Sequence, residues 1–100
     1  MKIRTLQHLE ELEVYGFYEI SNIKYFLCNP DGYIGLMTIS EKKADVIDGT
    51  VGDEFIPYQS DSGIEAMVNK FIIENGLLEG LIECNPESYE KFRSIKENYK

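Results

Sequence analysis

Cationic side chains are nearly missing from the middle and later part of this chain. Between residues 44 and 90, Lys70 stands alone against eleven carboxylates: Asp45, Asp48, Asp53, Glu54, Asp61, Glu65, Glu74, Glu79, Glu83, Glu87 and Glu90. That stretch carries a charge near −10, more negative than the −8 of the whole chain. A field of this sign and size repels nucleic acid and draws basic partners. Lys2, Arg4, Lys91, Arg93, Lys96 and Lys100 could form a basic patch if the termini met. The patch is modest beside the acidic field, so direct nucleic-acid binding is not expected.

Metal-ligating residues are scarce too. Zinc takes about four ligands of suitable type and spacing, whereas two cysteines and one histidine, with no CxxC or HxxxH, are all the chain offers. Cys28 and Cys84 lie beside apolar residues and read as small core side chains, with one disulfide as the alternative. Any Ser-His-Asp or Cys-His arrangement would have to use His8. Its neighbours are acids and leucines on an expected helix, so it reads as helix surface. Gly32, Gly35, Gly49 and Gly52 form neither a GxGxxG run nor a P-loop. Asp45, Asp48, Asp53 and Glu54 fail the EF-hand pattern, since aligning Gly49 with the loop's glycine puts Ala44 and Val46 at ligand positions. An irregular weak cation site is what remains of the calcium reading. No cofactor is expected.

Long apolar runs are also lacking, so no segment reads as a membrane span. Met1-Lys2-Ile3-Arg4-Thr5 has no apolar signal region, and Glu10, Glu11 and Glu13 follow closely, which makes the cytoplasm the expected location.

What is present suits one globular domain over residues 1–100. The composition is 43% hydrophobic and 28% charged, ordinary for a folded soluble domain. Thr5 as N-cap and the stripe Leu6, Leu9, Leu12 predict a first helix over Leu6–Tyr15, ended by Gly16. Phe17–Ile20, Ile23–Cys28 and Tyr33–Ile39 predict a three-stranded antiparallel meander. Ser21-Asn22 supplies one turn and Asn29-Pro30-Asp31-Gly32 the other. Ser40 suits the cap of a short helical turn through Lys43-Ala44, ending near Asp48-Gly49. Glu54–Tyr58 reads as an edge strand because Pro57 cannot donate to a central ladder; the alternative is an ordered acidic loop. Ser62 and Glu65 form a capping-box pattern before Ile64, Met67, Val68, Phe71 and Ile72, predicting a helix over Gly63–Asn75. Leu77–Cys84 fits a strand or a short helix. Asn85 and Pro86 open a final helix to Tyr99. The whole is an α+β domain: helix, three strands, acidic segment and two C-terminal helices packed on one sheet face. The repeated tripeptide Cys28-Asn29-Pro30 and Cys84-Asn85-Pro86 serves two local jobs, a turn and a helix start.

Seven tyrosines exceed what a small core needs and fit either half-buried sheet positions or an interface. The carboxylates themselves are either solvated surface or a mimic of phosphate charge. In a helix, Asp61 and Glu65, or Glu83, Glu87 and Glu90, would stand about 5–6 Å apart, close to the spacing of neighbouring phosphates. Small size, strong acidity, abundant tyrosine and the order helix, three strands, helices resemble phage inhibitors of nucleic-acid enzymes, the anti-CRISPR proteins among them. That resemblance rests on layout and carries no motif. It implies a non-catalytic protein that blocks a basic groove of its target.

The expected function is thus non-enzymatic: binding and inhibiting a basic partner, a nucleic-acid enzyme, by filling its nucleic-acid groove. Asp45, Asp48, Asp53, Glu54, Asp61 and Glu65 would supply charge, and Tyr58 an anchor. Two alternatives stand beside it. One is an immunity or antitoxin-like protein neutralising a basic toxin; the other is a small ligand binder or enzyme using a cleft that holds His8 or Cys84.

Overall fold

In the computed structural model, which describes residues 1–98, the chain opens as sheet rather than helix. β1 spans Lys2–Thr5 and β2 spans Glu11–Ile20, which corrects the helix expected over Leu6–Tyr15. The period decides it. Leu12 and Val14 are buried while Glu11 and Glu13 are exposed, a repeat of two. Leu6 and Leu9, which a helical stripe would bury, are 51% and 70% exposed. Thr5 does cap a backbone N–H with its hydroxyl, but that of Glu10 at 3.1 Å, closing the turn between β1 and β2.

The meander forms and then grows. Ser21 and Asn22 both take left-handed φ values, 53° and 67°, the two-residue turn whose twist matches a hairpin. β3, Ile23–Cys28, pairs antiparallel with β4, Met37–Ser40, as the Asn-Pro-Asp-Gly turn predicts, although β4 begins at Met37 rather than Tyr33. The residues between are held by Asn29, whose Nδ2 donates to the carbonyls of Tyr33 (2.8 Å) and Gly35 (2.7 Å). Ser40 caps a 3-10 turn, Glu41–Lys43, accepting from the Lys42 N–H. The turn ends at Lys43, short of the expected Asp48, and β5, Ala44–Asp48, returns to pair with β1. The strand order becomes β4-β3-β2-β1-β5, so the first and fifth strands are neighbours.

Two further strands follow. β6, Phe55–Gln59, is an edge strand as Pro57 predicts, and it pairs with β7, Glu65–Asn69. β7 also pairs with β2. The helix expected over Gly63–Asn75 is thereby cut to α1, Lys70–Glu74. No capping box forms at Ser62 and Glu65; Asn69 Oδ1 caps α1 instead, accepting from the Phe71 N–H at 3.1 Å. Short apolar runs fit both periods, and pairing of β7 on both its edges selects the strand. α2, Leu78–Ile82, resolves the ambiguous segment as a helix. α3, Pro86–Asn98, starts at Asn85, whose Oδ1 accepts from Glu87 (2.9 Å) and Ser88 (3.2 Å). Tyr99, the expected end of that helix, and Lys100 lie outside the described residues. The result is a mixed α+β domain with a seven-stranded antiparallel sheet and short C-terminal helices.

β2 organises the core. Its register against β3 slips between Val14 and Gly16, leaving Tyr15 as the extra residue of a bulge. Before the bulge, Leu12 and Val14 join Ile3, Phe26, Cys28 and Ala44 in one buried cluster. At the bulge, Tyr15 turns to a second, larger cluster built on Leu27, Val68, Ile72, Leu81 and Phe92. Phe92 is fully buried, with its ring edge-on to Tyr15 at 5.2 Å and stacked on Phe71 at 6.0 Å. Gly16 permits this layering. A Cβ there would stand 3.1 Å from Leu27 Cδ1 and 3.2 Å from the Met67 carbonyl.

Candidate partner-binding surface

All eleven carboxylates of residues 44–90 are exposed, and Lys70 is half-buried. They do not form one patch. Asp45 and Asp48 lie on β5 opposite Arg4 and Lys2, which on their other side face Glu11 and Glu13 across β2. Two rows of acid, base, acid result, and the Arg4 guanidinium reaches Glu11 at 3.2 Å. Arg4 and Lys2 therefore offset part of the charge of these two aspartates. The Asp48 carboxyl is held below the usual range, first by the Thr50 backbone N–H at 3.0 Å, then by the Thr50 hydroxyl, the N-terminal ammonium and Lys2.

Asp53 and Glu54 occupy the loop before β6, where the Glu54 carbonyl accepts the Lys70 N–H. Asp61 sits in the turn after β6, and Glu65 opens β7. The five residues of β6, at about 3.3 Å each, hold these two pairs on the order of 17 Å apart. Since residues 61 to 65 are turn and strand, the helical spacing expected for Asp61 and Glu65 does not occur. Glu87 and Glu90 do share α3, whereas Glu83 lies just past α2 and Cys84, with φ 59°, breaks the backbone between them. Glu90 also leans on Arg93 at 3.6 Å, and Arg93 on Glu97 at 3.9 Å.

Tyr58 and Glu65 meet at one concave surface, a cleft of about 690 Å³ where β2, β3, β6 and β7 adjoin. Its wall on the side away from the helices is built by cross-strand partners: Phe17 opposite Met67, Met67 opposite Pro57, Glu19 opposite Lys24, and Glu65 opposite Gln59. Lys24 Nζ lies 5.7 Å above the Phe17 ring, which in turn meets Phe55 edge-on at 5.7 Å. Glu19 and Glu65 are exposed at the rim. An apolar floor with carboxylates around it suits a basic or aromatic side chain of a protein partner. Tyr58 is half-buried and packs towards the helix-side core. Phe17 and Glu19 were legible only as strand residues, because the charge count that singles out 44–90 passes over β2, and Met67 only as part of a helix face.

A second concavity of about 870 Å³ lies between the β1–β2 turn and β4. His8 stands on its rim, exposed in that turn rather than on a helix. Among the described residues no three His, Cys, Asp or Glu side chains converge as a metal site. Both cysteines are free thiols. Cys28 is buried as expected, and burial, with Glu13 as a lesser cause, pushes its pKa from an ordinary 9.0 up to about 12. Cys84 departs from the core reading: it is half-exposed and donates to the Tyr33 hydroxyl at 3.3 Å.

Lys2 and Arg4 are flanked by acids on β1, and Lys96 Nζ rests over the rings of Tyr15 (5.6 Å) and Phe92 (5.8 Å). No helix among the described residues is long and apolar enough to cross a membrane. Comparison with protein-family models, with curated proteins and with solved structures returned no match to this chain.

Proposed function

We propose that this chain is a non-catalytic acidic protein of the cytoplasm that binds and inhibits a basic partner, a nucleic-acid enzyme, by occupying its nucleic-acid groove. The observation that carries the reading is the exposure of every carboxylate from Asp45 to Glu90 on a framework of strands and helices. Such a surface speeds encounter with a basic groove and selects against anionic competitors. The cleft above Phe17 and Met67 gives the charge a place to focus, with Glu65 and Glu19 at its rim and Asp61 in the turn that joins β6 to β7. Asp53 and Glu54 extend the surface along the β6–β7 hairpin. Asp45 and Asp48 contribute less, because Arg4 and Lys2 share their rows.

The test is capture from a host lysate on the immobilised chain at low and high salt, followed by identification of the captured proteins. Nucleic-acid enzymes should be retained at low salt, released at about 0.5 M salt as screening shortens to a few ångströms, and displaced by added DNA. The pair Asp61→Lys with Glu65→Lys should cut capture about tenfold, and Asp45→Lys with Asp48→Lys less than threefold. Salt-independent capture, or equal losses from both pairs, would overturn the reading. Capture of a small basic toxin instead would favour the immunity-protein alternative.

A further inference from the structure

Exposed sheet edges invite another strand, and folded proteins blunt them with prolines, bulges, charge or brevity. Three strands lie at edges here. β6 carries Pro57 at its middle. β5 is bulged, its register against β1 slipping between Lys2 and Ile3, and it displays Asp45 and Asp48. β4 has none of these devices beyond its four-residue length. Its register against β3 runs unbroken from Tyr25 and Ser40 to Cys28 and Met37, and Met37, Thr38, Ile39 and Ser40 are all uncharged.

The same four residues form one wall of the groove that runs beside the β1–β2 turn. Leu6, 51% exposed, offers apolar surface across from them, and Met37 is left 38% exposed. One end is closed by Lys42 and Lys43, exposed neighbours that make no ion pair among the described residues. Glu10 lies on the opposite wall. On a molecule of charge −8, a pair of free lysines beside an unprotected edge is a local reversal of sign.

We propose that the free edge of β4 receives an extended segment of a partner protein, added as a further strand. Its apolar side chains pack against Leu6, Met37 and Ile39, and its carboxylates meet Lys42 and Lys43. Main-chain hydrogen bonds to β4 supply the affinity and alternate side chains the selectivity. Glu10 excludes acids from the far wall, so the carboxylates belong at the end nearest the 3-10 turn. This site is separate from the acidic cleft and does not rest on the inhibitor reading.

The experiment titrates the 15N-labelled full chain with a capped heptapeptide in which Leu and Val alternate with Glu. Amide shifts should move at residues 37–40 and 42–43, and amide exchange along β4 should slow at least about tenfold. The double variant Lys42→Glu, Lys43→Glu, whose side chains are both exposed, should weaken binding about tenfold. The same peptide N-methylated at alternate residues should not bind, which tests strand pairing without altering the protein. Equal binding of the N-methylated peptide, tighter binding of a Lys-for-Glu peptide, or no response at millimolar peptide would each overturn the proposal. So would sedimentation showing that the free chain already pairs β4 with a second copy.

Discussion

Cys28-Asn29-Pro30 and Cys84-Asn85-Pro86 share three residues and nothing of their backbone setting. Cys28 ends a central strand and is fully buried, whereas Cys84 sits past α2 in a left-handed conformation, φ 59°, with its thiol half-exposed. Asn29 donates to two carbonyls of the loop that follows it; Asn85 accepts from two amides of the helix that follows it. The two segments nevertheless meet. The loop tied down by Asn29 brings Tyr33 to the Cys84 thiol and Gly35 against Cys84 Cα, while the Leu36 N–H donates to the Leu81 carbonyl at 2.9 Å. Local sequence therefore sets what a residue can do, and its neighbours in space set which of those things it does.

The largest test of that junction is Gly35→Ala. The new Cβ would strike the Leu81 carbonyl and approach Cys84 Cα to 3.3 Å, at a φ of +119° that alanine avoids. Strain and overpacking together should cost about 4 kcal/mol in urea unfolding. A loss under about 1 kcal/mol would mean that the two segments do not bear on each other.

Alkaline pH should test the burial of Cys28 next. Cys28 ionises at 9.0 when free of burial and at about 12 when folded. The folded state therefore holds its proton more tightly, so stability is full below pH 9 and falls between pH 9 and 12. The slope is about 1.4 kcal/mol per pH unit for one group, or about 2–3 kcal/mol by pH 11. Tyr15, pushed from 10.0 to about 12 by burial, adds to the loss above pH 10. Cys28→Ala should flatten the curve between pH 9 and 10. Asn29→Ala, which strands two carbonyls, should cost about 2 kcal/mol, against about 1 kcal/mol for the lost helix cap in Asn85→Ala. Smallest in energy, a maleimide should label Cys84 in the native chain and leave Cys28 untouched until the protein unfolds.

Turn chemistry was the most legible part of this fold. Ser21-Asn22, Asn29–Gly32, Ser40 and Asn85-Pro86 each do locally what their residue types allow, and each stands where expected. The two helix misreadings share one cause. Leu6, Leu9, Leu12 and Ile64, Met67, Val68 satisfy a helical spacing, yet Leu12 with Val14 and Ala66 with Val68 satisfy alternation as well. Only pairing with strands far along the chain decides between them. The acidic surface was legible as a quantity but not as a shape. Arg4 and Lys2 reach Asp45 and Asp48 by strand pairing, and β6 holds Asp53 and Glu54 apart from Asp61 and Glu65. Neither relation can be read from the order of residues.

The bulge at Tyr15 has a consequence for synthesis. β2 belongs to both halves of the interior, yet its partner β7 leaves the ribosome long after β1, β3 and β4 have emerged. Until Val68 and Met67 arrive, the flank of β2 beyond Gly16 stays open, and the nascent chain displays unpaired backbone that a chaperone would have to shield. Assembly is then all or nothing, and a ribosome stalled before residue 65 should yield a sticky fragment rather than a smaller working piece.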